Sequence, residues 1–279
     1  MSRPTDTPPD RDQAAAWWRT GIIDMAPDRI RFRGCPVQQL IGRVSFVDMI
    51  WFLVVGVMPS PRQARLAEAA LVAGVDHGPQ APSIAIARMA MTCGGSLNNA
   101  LASAVNVLDD VHGGAGEQAM MLFQDIRSRL VDGDDLARAT EAGLAHWRRR
   151  YGPIIPGFGH RFHRTDPRAP RLMALVAEVA ETGEITGQVA AIAGEIERQL
   201  AAAKGRRIPM NIDGATAVIF SELGLPPPLG RGLFCLSRSV GILAHAWEQQ
   251  QQGGRNKGPL PKGWLWQYDG EPPRDCPPV

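Results

Sequence analysis

Three of the six histidines lie beside glycine, in breaks between segments of helical periodicity. They stand in Asp76-His77-Gly78, His112-Gly113-Gly114 and Gly159-His160-Arg161. Glycine has no Cβ, so a backbone or a ligand can come close to the imidazole next to it. Because imidazole exchanges protons near neutral pH, all three histidines are candidates for general acid–base chemistry. Considered singly, each is better explained as a capping or packing residue.

Asp213 is a further residue that could move a proton. It lies in Asn211-Ile212-Asp213-Gly214-Ala215, where a helical segment begins. A carboxylate could act there as a general base, but an Asp at such a place most commonly caps the helix. The segment alone therefore favours a cap.

Other kinds of site have little support. His160 and His163 are three residues apart, but no H-E-x-x-H or comparable ligand cluster accompanies them, so we predict no metal site. Gly157-Phe158-Gly159 lacks the third glycine and the preceding strand of a dinucleotide site. A nucleophilic serine is not indicated either, because the chain has no G-x-S-x-G elbow.

Helical periodicity covers most of the chain and must position these residues. Ser60-Pro61 and Asp166-Pro167 each combine a capping residue with a proline that suits the first helical turn. Period-two alternation is not sustained anywhere, so we predict an all-α protein without a large sheet. The predicted helices span residues 46–58, 62–75, 82–92, 96–108, 116–130, 136–149, 167–180, 189–203, 214–223 and 231–249.

Proline and glycine mark the connections between these helices. Residues 152–159 form a non-helical loop, and such loops often hold functional groups on a rigid scaffold. Pro226-Pro227-Pro228 predicts a second break. The tail from residue 253 should be irregular, and the aromatic residues Trp264, Trp266 and Tyr268 indicate that it packs against something.

The composition is that of an ordinary globular protein, with 44% hydrophobic and 21% charged residues. A net charge of +2, without a dense basic run outside residues 148–150, argues against nucleic-acid binding. Residues 46–58 are too few to span a membrane. Four scattered cysteines, and a start at residues 1–10 without the apolar core of a secretory signal, predict a reduced, cytoplasmic protein.

Five segments in order resemble motifs of the citrate synthase superfamily, and the resemblance runs from about residue 22 to residue 270. It implies a citrate-synthase-like all-α fold with a large helical domain and a smaller mobile one. It also reverses the interpretation of His112, His160 and Asp213, which become the catalytic residues of one site. The first segment is an N-terminal helical entry, which runs from Arg33-Gly34-Cys35-Pro36-Val37-Gln38-Gln39-Leu40 through Ser45-Phe46 and Gly56-Val57-Met58-Pro59. The two histidine segments are His112-Gly113-Gly114-Ala115, and Pro156-Gly157-Phe158-Gly159-His160-Arg161 with Asp166-Pro167-Arg168. The last two segments are Asn211-Ile212-Asp213, and Arg238-Ser239-Val240-Gly241 with Ala244-His245.

Within the superfamily, Asp76-His77-Gly78-Pro79 and Asn211-Ile212-Asp213-Gly214 look like citryl-CoA lyases and the lyase module of ATP-citrate lyase. The resemblance therefore implies a citryl-CoA lyase that forms acetyl-CoA and oxaloacetate. Citrate or 2-methylcitrate synthase is the alternative, because both use the same three catalytic residues. A lyase for another citryl- or malyl-type thioester, or a non-catalytic helical regulatory or binding dimer, also stays open.

The resemblance implies a role for each site residue. Asp213 is the base at the thioester methyl group, His112 the donor to the thioester oxygen, and His160 exchanges the hydroxyl proton of citryl-CoA. The implied substrate-carboxylate residues are His77, Arg168, Arg238 and Arg255, of which Arg255 is a candidate to reach the partner subunit. The implied CoA contacts are Pro156, Gly157, Phe158, Gly159 and Arg164. CoA is part of the substrate, and no tightly bound cofactor or metal is expected.

Two departures accompany the resemblance: residues 160–168 look one residue shorter than in typical synthases, and residues 254–259 lack an Arg-Pro-Arg-like motif. By analogy, residues 1–113 and 229–279 form the large, dimerising domain, and 114–228 the small domain that closes over the substrate. The expected partners are a CoA thioester and a di- or tricarboxylate, a second copy of the chain in a homodimer or higher oligomer, and a citryl-CoA synthetase that supplies the thioester. Neither nucleic acid nor a membrane is expected.

Overall fold

Residues 16–276 are described by a computed structural model; the expectation drawn from residues 1–10 lies outside this range. Eleven helices occur in the described part of the chain, and they make up most of it. They are α1 (Val37–Leu40), α2 (Phe46–Val55), α3 (Pro61–Gly74), α4 (Pro82–Thr92), α5 (Leu97–Val105), α6 (Ala115–Val131), α7 (Leu136–Tyr151), α8 (Arg168–Ala180), α9 (Gln188–Lys204), α10 (Ile212–Glu222) and α11 (Pro227–Gln252).

Local signals explain where several helices begin. The Ser45 hydroxyl accepts the Asp48 N–H while the Asp48 side chain accepts the Ser45 N–H, a capping box that starts α2. Ser60 and Gln63 form the same arrangement at α3, with Pro61 in the first turn. The predicted helices from residue 62 onward agree with the structure to within a few residues, because caps and apolar periodicity act locally.

Two buried apolar clusters hold the helices together. The larger cluster lies among α3, α6, α7, α8, α9 and α10. The smaller one lies beneath α4 and α5. The 26-residue helix α11 joins them, since Leu233 belongs to the first cluster and Ile242 and Ala246 to the second. Each end of α11 is thus anchored in a different part of the core.

A small sheet near the start departs from the expected helical entry. β1 (Ile23–Ala26), β2 (Arg29–Phe32) and β3 (Cys35–Pro36) form an antiparallel sheet in that order. Ile23 pairs with Phe32, and Phe32 also pairs with Cys35. Arg33 and Gly34 have positive φ angles and make the tight turn between β2 and β3. Residues 23–36 are therefore strand and turn rather than helix, and strands of four residues or fewer are too short to reveal period-two alternation.

One further expectation needs correction, and another stays open. α11 begins at Pro227 rather than at residue 231, because proline suits the first helical turn, where its missing N–H has no helical partner. The break before it is correspondingly shorter. In the tail, Trp264, Trp266 and Tyr268 are all more than 70% exposed in the single chain, so the expected packing against something stays a prediction. Among residues 16–276, no helix has the length and apolar composition that crossing a membrane requires.

Candidate active site

Six of the predicted site residues converge from six parts of the chain. His77 follows α3, His112 precedes α6, and His160 lies in the loop before α8. The His77 and His160 ring centroids are 5.7 Å apart. The other three residues sit on helices: Arg168 begins α8, Asp213 lies in the first turn of α10, and Arg238 lies midway along α11.

His112 is held as a neutral ring with a defined tautomer. The backbone N–H of Ser83 donates to His112 Nε2 at 3.2 Å, and the buried Ser83 hydroxyl lies 3.0 Å from the same nitrogen. A backbone N–H can only donate, so the proton of the neutral ring sits on Nδ1. Burial, together with the charges of Arg238 and Arg161, lowers the pKa of His112. The residue therefore presents an N–H donor that stays uncharged at neutral pH.

His160 is oriented by its own loop. Its Nδ1 accepts the backbone N–H groups of Phe162 and His163, both at 3.0 Å. The proton of the neutral ring therefore sits on Nε2. Burial, followed by the charge of His163, lowers the pKa of His160, and nearby Asp166 opposes this. His160 is thus a second neutral N–H donor.

Asp213 is placed by a capped helix start. The Asn211 side chain accepts the N–H groups of Asp213 and Gly214 at 2.9 and 3.2 Å, so Asn211 is the cap and Asp213 lies just inside the helix. Burial raises the pKa of the Asp213 carboxyl, although the charges of Arg238 and Arg168 oppose it. A carboxyl with a raised pKa can hold or release a proton closer to neutral pH.

Arg238 is a buried guanidinium whose two terminal nitrogens have no hydrogen-bond partner within residues 16–276. Its Nε donates to the carbonyl oxygen of Gly74 at 3.1 Å, and its Cζ lies 4.9 Å from the centre of the Phe234 ring. Arg238 and Asp213 line one small cavity together with Gly74 and Phe234. Two nitrogens of the fork are left to meet a carboxylate, the anion that a planar guanidinium matches best.

Arg168 is oriented by Asp166, for which the sequence predicted a helix cap. Asp166 is 1% exposed, and its two oxygens accept Arg168 Nε at 2.9 Å and Nη2 at 2.8 Å. The same carboxylate accepts the Ile212 N–H at 3.0 Å, next to Asp213. Burial raises the pKa of Asp166, but the hydrogen bonds from Arg168 outweigh it and lower the pKa to about 2. Asp166 thus ties α8 to the start of α10.

The expected CoA loop packs tightly against α10. The backbone of Gly159 donates to Pro209 O at 2.7 Å, and Asn211 donates to Gly157 O at 2.9 Å. The Phe158 side chain is buried and meets Phe123 edge to face at 6.5 Å. Pro156 is buried as well. The backbone of this segment is therefore the part that could line a ligand site.

His77 stands on a turn next to α11. Burial, followed by the charges of Arg168 and Arg238, lowers the pKa of its imidazole. The neighbouring Asp76 accepts the Gly78 N–H at 3.1 Å. Neighbouring groups cover His77 only in part, since the residue as a whole is exposed and can be reached by a ligand.

Two predicted residues are not brought into this group. Arg164 is exposed in the loop after His160. Arg255 is exposed beside Asn256, whose N–H donates to Thr92 O at the end of α4 opposite Ser83. The eleven residues of α4 place its two ends roughly 15 Å apart, so Arg255 lies far from Ser83 and His112. In residues 16–276, moreover, no three His, Cys, Asp or Glu side chains are grouped as a metal site requires.

Sequence reasoning missed several residues that orient the site. Ser83, Asp166, Arg231 and His245 each contact a site residue or its turn. Asp166 and His245 lie in segments that carry the family resemblance, but the sequence predicted only a cap for Asp166 and no role for His245. Ser83 and His245 act across 29 and 169 positions of the chain, a distance that no spacing rule covers.

Together these groups can move protons and bind anions. Two neutral imidazoles offer N–H donors, a carboxyl of raised pKa can exchange a proton, and Arg168 and Arg238 supply positive charge. Such a set can stabilise an enolate oxygen while a proton is exchanged at the adjacent carbon.

The comparison with known proteins agrees with this arrangement. Residues 56–258 match the family described as citrate synthase, C-terminal domain. The citrate synthases of Acidithiobacillus ferridurans and Haloferax volcanii are 28% and 29% identical to this chain over 82% of its length. The chain spans about half the length of these curated relatives, 57% and 56%.

Solved structures show the same fold. Citryl-CoA lyase from Hydrogenobacter thermophilus is 32% identical, with a TM-score of 0.81 over 93% of this chain and 97% of that one. ATP citrate lyase from Methanothrix soehngenii, solved with citrate and coenzyme A, is 21% identical, with a TM-score of 0.76 over 95% of this chain and 45% of that one. The expected citrate-synthase-like, helical fold is thereby confirmed, and the chain belongs to the citrate synthase family.

Proposed function

We propose that this chain is a citryl-CoA lyase, which cleaves citryl-CoA to acetyl-CoA and oxaloacetate. The observation that carries the proposal is the carboxyl of Asp213, which lines one cavity with Arg238 and whose pKa is raised there by burial. Cleavage needs a protonated acid at this place, to convert the departing CH₂ carbon into a methyl group. The similarity to the Hydrogenobacter lyase over nearly its whole length supports the same direction.

The bond changes assign one role to each catalytic residue. The hydroxyl proton of citryl-CoA moves to His160, the C–OH carbon becomes the ketone of oxaloacetate, and its bond to the CH₂ carbon breaks. The electron pair passes into the thioester as an enolate, and the Nδ1–H of His112 donates to the enolate oxygen. Asp213 then protonates the carbon, giving acetyl-CoA.

The tautomer of His160 adds a requirement to this scheme. Condensation can use the Nε2–H directly, because this proton goes to the ketone oxygen as the carbon–carbon bond forms. Cleavage is the reverse, so Nε2 of His160 must first release its proton to solvent, and the resulting imidazolate then accepts the hydroxyl proton. The two backbone N–H donors at Nδ1 favour such an electron-rich ring.

Binding roles follow from charge and position. Arg168, Arg238 and His77 would hold the carboxylates of the di- or tricarboxylate. The backbone of residues 156–159 would line the CoA adenine site, and Arg164 would contact a CoA phosphate. Arg255, too far from its own site, would serve the site of a second copy in a homodimer. Residues 114–228 would move as the small domain, in a cytoplasmic protein supplied by a citryl-CoA synthetase.

Citrate or 2-methylcitrate synthase is the second candidate, favoured by the names of the curated relatives. The two activities share all three catalytic residues, so only turnover separates them. We expect the purified chain to release oxaloacetate from citryl-CoA, followed as NADH oxidation with malate dehydrogenase. Rapid citrate formation from acetyl-CoA or propionyl-CoA and oxaloacetate, without cleavage of citryl-CoA, would instead favour a synthase.

A further inference from the structure

The turn that carries His77 is docked directly on the backbone of α11. Gly241 donates its N–H to Val75 O at 3.1 Å. A Cβ at Gly241 would lie 2.2 Å from Val75 O and 3.0 Å from Asp76 Oδ1, so no side chain fits between helix and turn. The position of His77 therefore depends on α11 as well as on α3.

His245 lies one helical turn beyond Gly241 and bridges two charged groups. Arg88 Nη1 is 3.1 Å from His245 Nδ1, and His245 Nε2 is 3.2 Å from Asp76 Oδ1. Arg88 is always protonated and can only donate, so Nδ1 accepts and the ring proton sits on Nε2, facing Asp76. That Asp76 oxygen is buried and has no hydrogen-bond partner among the described residues, so its 3.2 Å contact with His245 Nε2 is the polar contact that meets it.

Both ends of this chain of contacts are anchored. Arg88 is 13% exposed and also donates to Glu248 and Gln252, each at 2.6 Å. At the other end, the second oxygen of Asp76 accepts the Gly78 N–H at 3.1 Å. The contacts thus run from α4 through α11 to the residues on either side of His77.

We infer that His245 is a positioning residue that holds the His77 turn through Asp76 without touching the substrate. It transmits the fixed orientation of Arg88 to Asp76, and Asp76 sets the backbone on both sides of His77. The inference deepens the proposed function and rests on it in one respect, namely that His77 binds a substrate carboxylate. Loss of His245 should therefore weaken dicarboxylate binding and leave CoA binding intact.

Calorimetric titration of His245→Ala with oxaloacetate and with CoA tests this selectivity. We expect the Kd for oxaloacetate to rise about 10-fold, since a small displacement of a binding group is costly. The Kd for CoA should stay within about twofold, which also shows that the variant is folded. His245→Gln keeps an acceptor and a donor and should restore most of the affinity. His146→Ala removes another histidine paired with an aspartate, Asp125 at 3.3 Å, and should change neither Kd.

A spectroscopic measurement separates this inference from the proposed function. In the ligand-free protein, the imidazole NMR signal of His77 should shift in His245→Ala, return toward its normal place in His245→Gln, and stay unchanged in His146→Ala. An unchanged His77 signal in His245→Ala, or equal weakening of CoA and oxaloacetate, would overturn the positioning role. An unsubstituted chain that binds neither oxaloacetate nor CoA would overturn the proposed function. The NMR signal of His77 would still decide the role of His245.

Discussion

At the scale of single residues, two aspartates of the site have opposite acid–base properties because of their surroundings. Asp166 forms a fork with Arg168 and has a pKa of about 2, whereas burial without a direct partner raises the pKa of Asp213. The first carboxylate is suited to hold structure, and the second to exchange a proton. The sequence alone predicts a helix cap for both aspartates, and only their contacts in the folded chain distinguish them.

The Asp166 fork should stabilise the fold in a pH-dependent way. Its pKa in the folded chain is below that of the unfolded chain, so the stabilisation is present above pH 4 and is lost as the pH falls towards 2. A displacement from 3.8 to about 2 corresponds to about 2 kcal/mol. Asp166→Asn should lower the free energy of unfolding by about that amount at pH 7, measured by urea denaturation.

The pH series supplies the control for this prediction. The difference between Asp166→Asn and the normal chain should shrink steadily as the pH falls from 4 to 2. Asp24→Asn, at an exposed pair with Arg29, should have little effect at any pH. A difference for Asp166→Asn that does not depend on pH would contradict the account.

The donor role of His112 can be tested by keeping or removing its N–H. His112→Ala removes the donor to the thioester oxygen and should lower kcat by about 10²- to 10³-fold. His112→Asn retains an amide N–H and should recover part of the rate. Steady-state kinetics of both variants, with calorimetric oxaloacetate binding as the control, checks this. Equal rates for Ala and Asn would argue against the N–H as the active group.

At the scale of elements, α11 holds the turns of two site histidines. Arg231 near its start donates to Asp109 at 2.6 Å and also contacts Asp110 and Glu117, so it fixes the turn that precedes His112. Further along α11, Gly241 and His245 dock the His77 turn. A single long helix thereby sets the spacing of the two turns that carry His77 and His112.

Loss of the Arg231 contacts should loosen the His112 turn. We expect Arg231→Met, which keeps the apolar stem, to lower kcat by about 10-fold while the fold persists. The matched control is Arg129→Met, which removes an arginine paired with Asp125 on the outer part of α6. Steady-state kinetics with thermal melts distinguishes the two: a kcat for Arg231→Met equal to that of Arg129→Met would count against the positioning role.

The close contact between the 156–159 loop and α10 leaves no room for a methyl group. A Cβ at Gly214 would lie 2.4 Å from Gly157 O, so Gly214→Ala should destabilise the chain by about 1–3 kcal/mol. Gly194 lies in α9 with open space around it, so Gly194→Ala should be neutral or stabilising by up to about 1 kcal/mol. Urea denaturation of both variants measures the difference. Equal stabilities would show that the loop does not press on α10.

The elements that could be predicted are those specified by local signals. Helices α3 to α10 follow from apolar periodicity, capping residues and glycine breaks. The sheet at residues 23–36 could not be foreseen, since its strands have four residues or fewer. The proposed catalytic residues follow from the motif resemblance and stay a prediction. Asp166 with Ile212 and His245 with Asp76 are pairs that only the folded chain brings together.

At the scale of the whole molecule, apolar surface remains uncovered in the single chain. Leu236, Val240, Leu243 and Trp247 form an exposed stripe along α11, at helical spacing. The tail aromatics Trp264, Trp266 and Tyr268 are exposed as well. Surfaces of this kind mark sites of association, and they agree with the homodimer expected from the resemblance.

A dimer would also bring Arg255 to a site that it does not reach in its own chain. We predict a particle of twice 30.2 kDa by sedimentation equilibrium, and monomers for Trp247→Glu, in which a charge interrupts the stripe. A Trp18→Glu variant, at another exposed tryptophan, serves as control and should stay dimeric. A monomeric normal chain that is fully active would contradict this prediction.

The central claim is that Asp213, His112 and His160 act together on a carbon–carbon bond beside a CoA thioester. Cleavage of citryl-CoA in D₂O, followed by mass spectrometry of the acetyl-CoA, tests it most directly. The normal chain should give acetyl-CoA with one deuterium in its methyl group, delivered through Asp213. Asp213→Asn should slow this product by about 10³-fold. Formation of acetyl-CoA by Asp213→Asn at the normal rate would contradict the account.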